Sequence, residues 1–161
     1  MTTFVGLQMD LHGLLKGLIE LDFDAIEAYD AALPRLDNAS YRDPLREFRD
    51  DHERHTEELS RVLRDSGRIP PKGPDLKRLW NEGKVRLAGL VSDRAILYAL
   101  KSIERDANVA YERASRSEHV PPQVRALLRA SLADERRHRI WLEEQLEGEE
   151  PPYAAPGGPS I

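Results

Sequence analysis

The chain has 161 residues, 33% charged and 40% hydrophobic, with a formal net charge of -5 and no cysteine. That length suits one domain able to bury its own core. Without Cys there are no disulfides, thiol catalysis, Fe–S clusters or Cys-bound zinc, and Lys and Arg interspersed among acids argue against a nucleic-acid partner.

The start, Met1 to Gly6, has neither the basic opening nor the continuous apolar segment of a secretory signal. No run approaches the length of a membrane span, so a bacterial-type cytoplasmic protein with no membrane partner is expected. A first helix is predicted from after Thr3 to Pro34. With Asp22 at the centre of one face, Leu15, Leu18, Ile19, Ala25, Ile26 and Tyr29 fall on the same stripe at the helical period. A carboxylate inside an apolar stripe is costly unless a cation or strong donors meet it.

A turn over Leu36 to Ser40 leads to a second helix, with Pro44 tolerated near its start and Ser66-Gly67 stopping it. Its inner face carries Phe48, His52, His55 and Leu59, with Asp51 on the same side as His55. Glu53 lies about 100° away from His52, and Arg54, Glu57 and Glu58 read as exposed charges. The segment Ile69 to Pro74 is too rich in Pro to be helical. Asp75 then resembles an N-cap, and a short helix is expected near Asp75 to Gly89 within a long crossover. A third helix is predicted from Ser92-Asp93 to Ser117, centred on Glu104, with Leu97, Leu100, Ala107 and Tyr111 beside it. A fourth follows Pro121-Pro122 and runs to Gly148, placing Leu128, Asp134, Glu135, His138 and Leu142 inward. The fold class expected is an all-α antiparallel four-helix bundle of two hairpins over residues 1–148. Residues 149–161, rich in Pro and Gly, form a flexible or docking tail.

The two halves repeat. Leu18 to Tyr29 aligns without gaps to Leu100 to Tyr111, pairing Asp22 with Glu104 and Tyr29 with Tyr111. Asp51-His52-Glu53-Arg54-His55 aligns to Asp134-Glu135-Arg136-Arg137-His138. Residues three apart share a helix face, so Glu135 and His138 can reach one point. Two hairpins would bring the four polar centres together about a pseudo-twofold axis. Each element alone has a plainer reading: His52 and His55 as core or surface histidines, Glu135 and His138 as a solvated charged face, both tyrosines as core packing. Repetition at matched positions favours metal binding over these readings.

On these residues the chain resembles the ferritin-like superfamily of bacterioferritin and rubrerythrin, over roughly residues 10 to 147. The closer likeness is to bacterial ferritin-like bundles of unassigned function. Such proteins take a carboxylate from the first and third helices and Glu-x-x-His from the second and fourth. The resemblance thereby implies Asp22, His55, Glu104, Glu135 and His138 as metal ligands, with His52 in place of the usual Glu of the second helix. It also implies Asp51 and Asp134 as hydrogen-bonding partners of the ligand histidines. An imidazole cannot bridge two ions as a carboxylate does, so a second ion is expected to bind more weakly than the first. The metal-free carboxylates are expected to repel one another.

The function expected is that of a metalloprotein with a non-haem dinuclear site, two iron ions, with Mn or Zn as the other metals considered. Its chemistry would be ferroxidase action or protection against O2 or peroxide. Two other readings stand beside it. One is a structural or stress-response bundle holding one metal or none. The other is a cage or encapsulated cargo subunit, although no strongly apolar outer face supports a cage. A homodimer is the assembly considered.

Overall fold

The computed structural model describes residues 11–74 and 89–147. They form four long helices: α1 (Leu11–Ala32), α2 (Arg42–Asp65), α3 (Asp93–Arg116) and α4 (Pro122–Leu146). Two single 3-10 turns, Leu33–Arg35 and Ala39–Tyr41, lie between α1 and α2. The described residues contain no strand, as an all-α bundle requires. The expected start of the first helix near Thr3, the short crossover helix near Asp75 and the tail over 149–161 lie outside the described residues. No described helix is long and apolar enough to cross a membrane.

Local chemistry sets the helix ends. Ser92 Oγ accepts the Ala95 N–H at 3.3 Å, capping α3. The Asp93 carboxylate accepts the backbone N–H groups of Asp37 and Asn38 at 2.8 and 2.7 Å, tying the α1–α2 connection to the start of α3. α2 ends at Gly67, whose φ of +71° lets Gly67 N–H reach Arg64 O and Arg68 N–H reach Leu63 O, both at 2.9 Å. Pro122 opens α4, where a missing N–H leaves no bond unmade.

α1 pairs with α2 and α3 with α4 as hairpins, and α1 also packs on α3. The core comes in two apolar clusters. One gathers Tyr29, Leu45, Phe48, Leu97, Leu100 and Leu142, and the other Leu15, Ile19, Leu59, Leu63, Tyr111 and Leu128. Along each helix the polar residues that interrupt these clusters fall near the middle. Asp22 lies halfway along α1, Glu104 along α3, His52 and His55 along α2, Glu135 and His138 along α4. The bundle therefore carries a polar layer between two apolar ones.

Candidate metal centre

Asp22, His52, Glu104, Glu135 and His138 are fully buried and His55 is 1% exposed. Placing three carboxylates and three imidazoles there has a large desolvation cost unless each finds a partner. The helices supply those partners in pairs that cross the pseudo-twofold axis. Tyr29 on α1 donates its hydroxyl hydrogen bond to Glu104 Oε1 on α3, and Tyr111 on α3 donates to Asp22 Oδ2 on α1 at 2.5 Å. His138 Nε2 lies 3.0 Å from Asp51 Oδ2, and His55 Nε2 lies 3.2 Å from Asp134 Oδ2. Each repeat thus completes the other's shell. With Nε2 turned to an aspartate, Nδ1 of His55 and His138 faces the centre, the arrangement that orients metal-ligating histidines once Nδ1 gives up its proton.

Outside this ring two arginines brace the aspartates. Arg54 donates to both Asp51 and Asp134, and Arg137 donates to the same two carboxylates. Arg54, expected from the sequence to be an ordinary exposed charge, is half exposed but fixes both aspartates. Asn108 Nδ2 donates to the backbone oxygens of Glu104 and Glu135, each at 2.8 Å, stapling α3 to α4 at the level of the site. The sequence reading missed Asn108 and left both tyrosines as core packing. The signal for the tyrosines was present in the repeat, each being seven residues beyond its carboxylate and so two turns along one face. Arg54 and Arg137 also stand at matching positions, each three residues after an aspartate.

At the centre sits His52. Its Nδ1 is 3.0 Å from Asp22 Oδ1 and 3.4 Å from Glu135 Oε1, and its Nε2 is 3.1 Å from Glu104 Oε1. The ring therefore stands between the carboxylates of α1 and α3, which tempers the expected repulsion. Glu53 points away, with its side chain 54% exposed. His55 Nδ1 is 3.8 Å from Asp22 Oδ1 and 3.3 Å from Glu135 Oε1, and His138 Nδ1 is 3.4 Å from Glu104 Oε2.

The charges respond to this packing. Burial opposes protonation of His52, but the surrounding carboxylates of Glu135, Glu104 and Asp22 outweigh it and raise its pKa well above the usual value. The same contest, decided by Asp22 and Glu135, lifts His55 to about 10, and Asp51 and Glu104 raise His138. Asp22 and Glu104 are held below the ordinary carboxylate range, because neighbouring imidazoles outweigh their burial. Glu135 goes the other way: burial, reinforced by Glu104 and only partly offset by His52, pushes it up to about 7. Asp51, where His138 and Arg54 overcome burial, falls to about 2. Protons thus take the neutralising place that a cation would otherwise fill.

Two groups of atoms can hold a metal ion: Asp22, His52, His55 and Glu135, and His52, Glu104, Glu135 and His138, each offering one atom within 4.8 Å of the others. His55 Nδ1, His138 Nδ1, Glu104 Oε2 and both oxygens of Glu135 are buried without a well-aligned hydrogen bond, held only by the longer ion-pair contacts of 3.3 and 3.4 Å among them. Buried polar atoms are rarely left so, and these come from residues facing one another across the centre. In the first group the neighbouring ligand atoms lie 3.0 to 3.8 Å apart. Four atoms set tetrahedrally at ~2.0–2.1 Å from one ion would be roughly 3.4 Å apart. These four separations lie near that value, and the donor types suit a metal ion.

Fold and site together define an all-α four-helix bundle with a buried carboxylate–imidazole cluster that can hold metal. The chain belongs to the family described as Domain of unknown function (DUF2383), whose profile matches residues 12–117. The match spans α1 to α3 and stops before Glu135 and His138. No curated protein matches the chain significantly.

Proposed function

We propose that this protein is a ferritin-like metalloprotein whose Asp22, His52, His55, Glu104, Glu135 and His138 hold two iron ions for oxidative chemistry. The observation that carries the reading is the convergence of three fully buried carboxylates and three buried imidazoles into two overlapping ligand groups, with Glu135 and His52 common to both. Mixed carboxylate and imidazole ligands suit Fe, Mn or Zn, and iron would supply electrons to O2 or peroxide. The chain's own groups do the rest. Asp51 and Asp134 orient the imidazoles, Tyr29 and Tyr111 hold hydroxyl protons against Glu104 and Asp22, and the apolar clusters on either side exclude water. Elemental analysis of protein as purified, followed by anaerobic Fe(II) loading and exposure to O2 or peroxide, tests the reading. Bound iron and Fe(II) oxidation faster than in protein-free buffer are expected. Protein that retains no transition metal after loading would refute it.

A mononuclear reading has one observation in its favour: His52 and Glu135 are common to both ligand groups, so one ion can take ligands that a second would need. It predicts saturation at one ion per chain.

A further inference from the structure

We propose that His52 bridges two metal positions through its ring, one nitrogen to each, so that the ions are held apart by an imidazolate and not drawn together by carboxylates alone. This inference rests on the metal-binding reading above. Its ground is the direction of the two ring nitrogens. Nδ1 faces Asp22 and Glu135 at 3.0 and 3.4 Å, on the side where His55 completes the first group. Nε2 faces Glu104 at 3.1 Å, on the side where His138 Nδ1 lies 3.4 Å from the other oxygen of that carboxylate. His52 is fully buried, and its ring is flanked by those of Tyr29, His55 and His138 at centroid distances of 5.4 to 5.8 Å. Hydrogen-bond contacts from Nδ1 to Asp22 and from Nε2 to Glu104 hold the ring in this orientation. His52 and Glu135 are the two residues common to both ligand groups.

The consequence is a distance. Metal–nitrogen bonds of ~2.0–2.1 Å on opposite sides of an imidazole ring set two ions about 6 Å apart. Paired ions in two-metal hydrolytic and transfer sites sit ~3.5–4 Å apart. Each ion would displace one ring N–H proton to solvent, so His52, protonated on both nitrogens in the metal-free protein, would give up two protons as two nitrogen–metal bonds form. Such a pair cannot close on a single oxygen atom, so each ion acts on its own side. The ligand class implied is two divalent ions of borderline softness.

Crystals of the full chain loaded anaerobically with Co(II) would give the separation directly from anomalous scattering, and native mass spectrometry would count the ions in solution. Two ions about 6 Å apart, with one His52 nitrogen on each, are expected. His52→Gln, which keeps the volume and offers no second ring nitrogen, should retain at most one ion per chain. Two ions ~3.5–4 Å apart in the wild type, two tightly held ions in His52→Gln, or one ion only at saturating Co(II) would each overturn the bridge. All three would leave metal binding itself intact. No Co(II) retained by the wild type would instead bring down the functional reading, and the bridge with it.

Discussion

Glu135 belongs to both ligand groups, whereas Asp22 belongs to one and Glu104 to the other. Substitutions at these three positions should therefore differ in kind and not only in degree. Glu135→Gln keeps the shape and removes the shared charge, so both ions should be lost. Asp22→Asn and Glu104→Gln should each remove one ion and leave the other. Metal-to-protein ratios after loading and desalting check this, and equal losses in all three variants would show that the groups are not independent. The carboxylates and imidazoles also titrate against each other. His55, raised to about 10, contributes stability that is complete below its ordinary 6.5 and is lost as pH climbs toward 10. His52 and His138 act in the same direction. Glu135, raised to about 7, also favours the folded state less as pH rises from 4.5 to 7. Metal-free protein should thus melt at a lower temperature at pH 9 than at pH 6 in chelator-containing buffer. A melt that is flat or rises over that window would contradict the charge assignment.

At the scale of single elements, stability comes from the apolar layers and the helix ends. Leu59 on α2 is fully buried in the cluster shared with α1, α3 and α4. Leu59→Ala should cost about 2–5 kcal/mol, because a cavity is left and the surrounding helices relax only in part. Gly67 needs its left-handed backbone to close α2, and a Cβ there meets no atom within 4 Å. Gly67→Ala should cost about 1–2 kcal/mol from backbone conformation alone, with no packing clash to add. Urea unfolding followed by circular dichroism separates the two. Similar losses for both would mean that the α2 terminus contributes more than its geometry indicates.

Over the whole molecule, the polar layer couples metal to folding. Ions that bind only the assembled bundle stabilise it by about 2.7 kcal/mol at a concentration 100 times Kd. For a chain of this size that raises Tm by roughly 5–10 °C. Addition of a chelator should reverse the rise. An unchanged melting curve on loading would show that the bound ions do not join the four helices. The two halves are not identical at the centre, since His52 stands where Glu135 stands in the repeat. That one difference balances three carboxylates with three imidazoles. It also explains how the metal-free layer can remain buried, with each of Asp22, Glu104 and Glu135 lying within 3.4 Å of an imidazole nitrogen.

Helical period and Pro/Gly punctuation alone determined the four helices, because both are local properties of the chain. The repeat determined which polar residues share a level, since matched positions on paired hairpins must lie at matched heights. Spacing along one helix specifies the angle at which a side chain leaves, but not which neighbour it meets. For that reason only the tertiary structure decided that Asp51 serves His138 and Asp134 serves His55, each across the bundle. For the same reason it alone showed the tyrosines donating to the opposite repeat's carboxylate and the half-exposed Arg54 closing on two aspartates. The orientation of the His52 ring is likewise a tertiary property. A histidine in a sequence is one residue with two ring nitrogens, and only packing against Asp22 on one side and Glu104 on the other gives each nitrogen a direction.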